Sequence, residues 1–249
     1  MLVCVDFWAH GPRFVEGLRL LHSRLPAPAH AEVWLDFDGT ISQQDILDSL
    51  IERFAMNASW KLIEQRWQTG LIGSRECLQA EFDLLRVSKP ELETFLDAIQ
   101  LDPGIGGLLQ LLRSMNVPVA ILSDGIDIFI QRTLARHGIT GIPLRSNTVT
   151  HRGKSLRLVC PNSSSGCESA AAHCKCASAQ ALGTPGRQSI YVGDGRSDLC
   201  PARKSSAVFA KGTLARTLSQ QHIPFFAYTG LQDVTATLSA AWRQQAAVI

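Results

Sequence analysis

The sequence predicts an α/β fold, a parallel β-sheet covered by helices on both faces, with a helical insert after the first strand. Three observations carry this. Apolar runs of strand length occur at Val33–Leu35, Val117–Leu122 and Ser189–Val192 and around Val208 and Phe225, and most are followed by segments of helical period. The first three lead directly into short polar, acidic stretches, as strands of an open parallel sheet do when their carboxyl ends face a ligand. Between the first and second runs, residues 43–103 carry only the helical spacing of apolar residues.

Residues 1–31 read as an N-terminal extension. Met1 to Phe7 is apolar with one acid, and Phe14 to Leu25 has the pattern of an amphipathic helix. Asp6, Arg13, Glu16 and Arg19 interrupt what would otherwise be the apolar core of a signal peptide. Pro26-Ala27-Pro28-Ala29 then reads as an extended linker. The core spans 32–42 and 104–249, beginning with the buried strand Val33-Trp34-Leu35. In the insert, 43–103, Ile46, Leu47, Leu50, Ile51 and Phe54 mark one helix, and Trp60, Ile63 and Trp67 mark the next. Gly70 to Gly73 breaks the pattern, Ser74 stands as an N-cap before Cys77, Leu78, Phe82 and Leu85, and Pro90 opens a helix through Ile99. Gly104 to Met115 reads as a helix and Val117 to Leu122 as a strand, followed by a helix from Ile126 to His137 that Gly138 ends. Short strands are expected near Leu144, Val149 and Leu156 to Val159, then a helix from about Cys174, the strand at Ile190, and βα units around Val208 and Phe225.

Composition narrows the class. The chain has 249 residues, 45% of them hydrophobic, which suffices for a sizeable core, and a net charge of +2, which shows no bias toward nucleic acid or membrane. No apolar run approaches the roughly 18 residues needed to cross a bilayer. Seven cysteines, an odd number, without a signal peptide point to a reducing cytoplasm.

The chemistry is concentrated at the strand ends. In Asp36-Phe37-Asp38-Gly39-Thr40, residues i and i+2 share a face, so two carboxylates crowd at the tip of a buried strand. Like charges that close repel unless a cation sits between them, and Mg²⁺ prefers such oxygen ligands. Alone, the segment also reads as a strand followed by an ordinary Asp/Gly turn. Ser123-Asp124-Gly125, Lys175, and Gly193-Asp194-Gly195-Arg196-Ser197-Asp198 would converge on the same edge. Taken singly, Ser123 is a helix N-cap, Lys175 a solvated lysine, Asp194 a turn residue and Asp198 a helix-start residue.

Together and in this order, DFDGT, SDG, Lys and GDGRSD resemble the haloacid dehalogenase superfamily in its phosphatase branch, over residues 32 to 245. The resemblance implies a Rossmann-like core and an Mg²⁺-dependent phosphatase acting on a small phosphorylated metabolite. Asp36 would be the nucleophile that forms an aspartyl-phosphate, and Asp38 the general acid and then base. Mg²⁺ would be held by the Asp36 side chain, the Asp38 backbone carbonyl and Asp194, with Asp198 binding directly or through water. Ser123, with Asp124 and Gly125 of its loop, and Lys175 would grip the phosphoryl oxygens, and Lys175 would offset the charge on Asp36. The four inserted helices are similar to the small helical cap of the phosphoserine-phosphatase-like branch, which excludes water and limits substrate size. Asp45, nine residues after Asp36, the Gly125–Phe129 run and the cysteine-rich stretch before Lys175 resemble the methionine-salvage phosphatases of that branch. Asp45 is thereby the candidate substrate contact, or else the N-cap of its helix. Asp124 stands where both groups usually carry glycine, pointing to another small phosphate ester. A phosphotransferase or phosphomutase, and a non-catalytic binding protein, use the same scaffold. A monomer or homodimer is expected, with no nucleic-acid or membrane partner.

Cys160, Cys167, Cys174 and Cys176 with His173 read as a loose reduced loop, with a disulfide between two of the cysteines or a metal cluster as the alternatives. Their intervening spacings of six, six and one differ from the two to four typical of structural zinc pairs.

Overall fold

A computed structural model describes residues 25–247. The apolar run Met1 to Phe7 lies outside the described residues, as does all of the expected helix Phe14 to Leu25 except its last residue. Seven strands form one mostly parallel sheet, and ten α-helices accompany it among the described residues. The strands are β1 (Ala31–Leu35), β2 (Val119–Ile126), β3 (Leu144–Arg152), β4 (Ser155–Val159), β5 (Gln188–Gly193), β6 (Ala207–Ala210) and β7 (Phe226–Ala227), in the order β4-β3-β2-β1-β5-β6-β7. The fold class is the α/β class the sequence predicts, with one departure. β4 runs antiparallel to β3, pairing Arg152 with Ser155 across Gly153-Lys154. So short a turn closes a hairpin, whereas a parallel return needs a crossover of a dozen residues or more.

By internal contacts the chain divides into two compact units. One comprises the described residues of Met1–Leu35, Asp102–Val119 and Gly183–Ile249. In it β1 pairs β5 in parallel, Leu35 opposite Val192, so the ends of these two strands emerge side by side. Val33, Leu35, Ile190 and Val192 are fully buried, as expected of strands covered on both faces. The sheet order also reverses direction between β1 and β5, the kind of switch point where open α/β sheets bind ligands. Helices α5 (Ile105–Ser114) and α10 (Leu231–Ala246) pack together in this unit, and the buried carboxylate of Asp102 accepts the Gly104 and Leu231 amides at their starts. The expected linker is a 3₁₀ turn at Pro28–His30, tied down where the Trp242 indole donates to the Pro26 carbonyl at 3.0 Å.

The other unit comprises Asp36–Leu101 and Ala120–Leu182. It holds the insert helices α1 (Ile46–Phe54), α2 (Trp60–Gln68), α3 (Ser74–Leu84) and α4 (Lys89–Asp97), then α6 (Asp127–Arg136) and α7 (Lys175–Leu182). Leu50, Ile51, Phe82, Leu92 and Leu96 form the insert's buried side. Ser88 and Glu91 close a capping box at the start of α4, and Arg132 on α6 grips Asp97 on α4 with two bonds of 2.7 and 2.9 Å. Two local expectations change. Gly73, not Ser74, caps α3, because the Ser74 hydroxyl is engaged elsewhere. β2 continues through Ser123-Asp124-Gly125 to Ile126, with a break in its register to β3 between Leu122 and Ile126. Such irregularities re-aim side chains next to functional sites. Among the described residues, no helix is long and apolar enough to cross a membrane.

Candidate active site

Asp36 follows the last residue of β1 and is 5% exposed. The Phe37 carbonyl collects the amides of Thr40, Ile41 and Ser42, and Gly39 turns the chain at φ +70°. This tight turn leaves Asp36 and Asp38 at the start of the same loop. Lys175, the first residue of α7 and 3% exposed, donates from Nζ to Asp36 Oδ1 at 2.7 Å. A buried carboxylate needs such compensation. The two residues are 139 positions apart, so the pair exists only in the folded chain.

Asp38 is held by different donors. Its Oδ1 accepts the Ile46 amide at 2.9 Å, and its Oδ2 lies 3.4 Å from the Ser123 hydroxyl. Burial pushes its pKa well above the usual carboxylate range, and the nearby Asp45 charge adds to the rise, while the Ile46 amide, Lys175 and Ser123 oppose it. A carboxyl held above its ordinary pKa is the arrangement an acid catalyst needs. The Gly125 amide donates to Ser123 Oγ at 2.8 Å. A Cβ at Gly125 would lie 2.7 Å from Asp38 Oδ2 and 2.9 Å from Ser123 Oγ, so a larger residue there would displace one of them.

Asp45 caps α1, its Oδ1 accepting the Asp48 amide at 2.9 Å. The residue itself is exposed to solvent. The insert carries more acid than Asp45 alone. Glu81, which is buried, is pushed up to about 8, chiefly by that burial and further by Asp48, Glu64 and Asp45, while its bond with Cys77 opposes the rise.

Asp124 directs its carboxylate away from the Ser123 hydroxyl. Oδ1 accepts the His173 amide at 2.8 Å, Oδ2 accepts from the Ser74 hydroxyl at 3.3 Å, and the Asp124 carbonyl accepts from the Asn147 side chain at 2.7 Å. His173 has a role that the sequence did not assign. It is 1% exposed; its Nδ1 donates to the Ser123 carbonyl at 2.7 Å, which fixes the tautomer, and Nε2 accepts from the Ser178 hydroxyl at 2.6 Å. With both ring nitrogens engaged, His173 serves the Ser123 loop and not a cysteine metal cluster. Its nearness to Lys175 in sequence was the available signal. Burial pushes its pKa down to about 4, Lys175 and Arg145 add to the fall, and the Ser123 carbonyl opposes it. The unfolded chain therefore binds the proton first as the pH falls. Stability that depends on neutral His173 should be complete above about 6.5 and disappear as pH falls toward about 4. Urea midpoints across that range should fall more steeply for the wild type than for His173→Asn; parallel slopes would refute this.

In the other unit, Asp194 follows β5 in a loop shaped by Asp198. Asp198 is fully buried; its Oδ1 accepts the Tyr191 hydroxyl at 2.6 Å, and its Oδ2 accepts the amides of Asp194 at 3.0 Å and Gly195 at 2.9 Å. The buried Tyr191, a phenol in an aliphatic strand that needs a polar partner, was the sequence signal for this bond. Asp194 and Asp198 thus stand just beyond the carboxyl end of β5 as a pair of carboxylates. Carboxylate oxygens are the donors a hard cation such as Mg²⁺ prefers, so the set fits it.

The sequence model of the haloacid dehalogenase-like hydrolases matches residues 33–203, more than half of the chain and every candidate site residue named above. The chain belongs to this family. A 2-hydroxy-3-keto-5-methylthiopentenyl-1-phosphate phosphatase of Brevibacillus brevis is 23% identical over 209 residues, covering 83% of this chain and 94% of that protein. The Pdp3-interacting factor 1 of Schizosaccharomyces pombe is 28% identical over 215 residues, covering 81% and 92%. A HAD family hydrolase from Salmonella enterica serovar Typhi superposes with a TM-score of 0.68 at 23% identity, over 92% of this chain and 81% of that one, and so shares the fold.

Proposed function

We propose that this hydrolase removes the phosphate of a small phosphorylated metabolite, with Mg²⁺, through an aspartyl-phosphate on Asp36. The observation that carries the reading is the buried Lys175–Asp36 pair, with Asp38, a carboxyl whose proton burial retains, in the same loop. An Asp36 oxygen attacks phosphorus, the bond from phosphorus to the alcohol oxygen breaks, and Asp38 gives its proton to that oxygen. Asp38 then takes a proton from water, whose oxygen attacks phosphorus, releasing inorganic phosphate and restoring the Asp36 carboxylate. Lys175 and Ser123 hold the phosphoryl oxygens, and Gly125 leaves room for them. Mg²⁺ would be held by the Asp36 carboxylate, the Asp38 backbone carbonyl and Asp194, with Asp198 direct or through water, and would neutralise charge on the transferring group. The name of the Brevibacillus relative supports a small phosphate ester as substrate, and Asp45, whose charge acts on Asp38, is the proposed contact to its hydroxyl or amine.

The test is phosphate release from a panel of phosphorylated metabolites. At least one small ester should be hydrolysed, EDTA should silence the reaction, and added Mg²⁺ should restore it. Full activity after thorough chelation would overturn the role of the metal. Transfer of phosphate to a second hydroxyl without free phosphate would replace hydrolysis by mutase chemistry.

A further inference from the structure

We infer that Asp124 is a positioning residue, whose carboxylate holds the segment carrying Lys175, the start of α3 and the Ser123 loop in one register. This rests on the phosphatase reading above. A negative side chain next to a phosphate-binding serine would repel the substrate if it faced the site. Here it takes two donors instead, the His173 amide at 2.8 Å and the Ser74 hydroxyl at 3.3 Å. Ser74 Oγ in turn accepts the Ala172 amide at 3.2 Å. The chain closes on itself, because the His173 ring donates back to the Ser123 carbonyl at 2.7 Å. Backbone and ring of His173 thus grip the consecutive residues Ser123 and Asp124, two positions before Lys175. The same join is close-packed: Arg75 donates its amide to the Ala170 carbonyl at 3.3 Å, and a Cβ on Gly73 would lie 2.6 Å from the Ala170 Cβ.

Ala172 and His173 are 0% and 1% exposed, so their amides have no water to replace a lost acceptor. Removing the Asp124 carboxylate therefore loosens the approach to Lys175 and shifts the Ser123 carbonyl together with it. Both groups proposed to hold the phosphoryl oxygens move, and misplacement on the scale of an ångström carries a large rate cost. No contact to the leaving group or to the metal is removed. The defect should therefore appear in kcat, with KM and the Mg²⁺ requirement little changed.

The experiment compares wild type, Asp124→Ala and Asp124→Asn by residue-resolved amide exchange and by steady-state kinetics on an aryl phosphate. In the alanine variant, exchange at Ala172 and His173 should accelerate and kcat should fall, each by about tenfold or more, with KM within about twofold. Asparagine keeps an oxygen for the His173 amide and an amine for the Ser74 hydroxyl, so it should restore both readouts. Unchanged exchange at His173, a raised KM at constant kcat, or an asparagine variant as slow as alanine would each overturn the inference. If alanine at this position prevents folding, Ser74→Ala carries the same test at the Ala172 amide, where unchanged exchange overturns it. A wild type that hydrolyses no phosphate ester would sink the phosphatase reading, and the exchange measurements would still decide the positioning role.

Discussion

Asp36→Asn should abolish phosphate release while the protein stays folded. The amide is nearly the same size and can still accept a hydrogen bond from Lys175 Nζ, now 2.7 Å from Oδ1. It lacks the negative charge that attacks phosphorus and is a poorer ligand for Mg²⁺. Losing the nucleophile of a covalent mechanism should lower kcat by on the order of 10⁴-fold or more. Phosphate release by protein free of contaminating phosphatases, beside its melting temperature, is the measurement. Activity near wild type in the folded variant would remove Asp36 from the nucleophile's role. Asp38→Asn gives a useful contrast, because the amide cannot protonate the leaving oxygen. Its loss should be largest for a poor leaving group and smaller for an aryl phosphate, whose departing oxygen needs little help.

Lys175→Met should damage both activity and stability. Its ammonium and the Asp36 carboxylate are 3% and 5% exposed, so removing one takes from the other the opposite charge that offsets its burial. Methionine keeps the apolar stem and removes only the cation. Taking one partner from a buried pair costs about 3–5 kcal/mol, and the loss should be read from denaturant midpoints in EDTA. Mg²⁺ should return part of that stability if Asp36 is a ligand, since a cation at that carboxylate replaces the missing one. The proposed contact to the phosphoryl oxygens goes as well, and losing one preorganised donor should lower kcat by about 10²–10³-fold. The double variant Asp36→Asn/Lys175→Met tests the pairing directly. Its stability should exceed that of Lys175→Met alone, because no buried carboxylate is left without its cation. Additive losses from the two substitutions would show that the pair contributes nothing as a unit.

The polar stretches at the strand ends were legible because their meaning is local. An apolar strand followed by Asp36-Phe37-Asp38-Gly39-Thr40 brings two acids and a turn together over five consecutive positions, whatever the rest of the chain does. The helical periods of the insert and the Pro90 start of its last helix are local in the same way, and so is the α/β alternation. Asp45 carried two readings, and its bond to the Asp48 amide establishes the cap, which a residue three positions before its partner can form within one turn.

Other features depend on partners far along the chain. Taken singly Lys175 is a surface lysine, and only its place in the motif order marked it before folding buried it against Asp36; nothing near Ser74 foretells that its hydroxyl will serve Asp124, 50 positions away, in preference to its own helix. The bracing role of His173 was not legible among its cysteines, because composition records which atoms are present and not which acceptors face them. The continuation of β2 through Ser123-Asp124-Gly125 was hidden for the same reason, since a polar run can end a strand or bend it, and pairing with β3 settles which. The sequence by itself determined the class of fold, the order of its elements and the chemical identity of the acids that end its strands, because period, turn chemistry and residue type act over a few neighbouring positions. Which charge is buried against which, which hydroxyl caps and which one braces, and that the Asp124 carboxylate accepts the His173 amide before Lys175, were set by packing, because hydrogen bonds and ion pairs are chosen by distances that exist only in the folded chain.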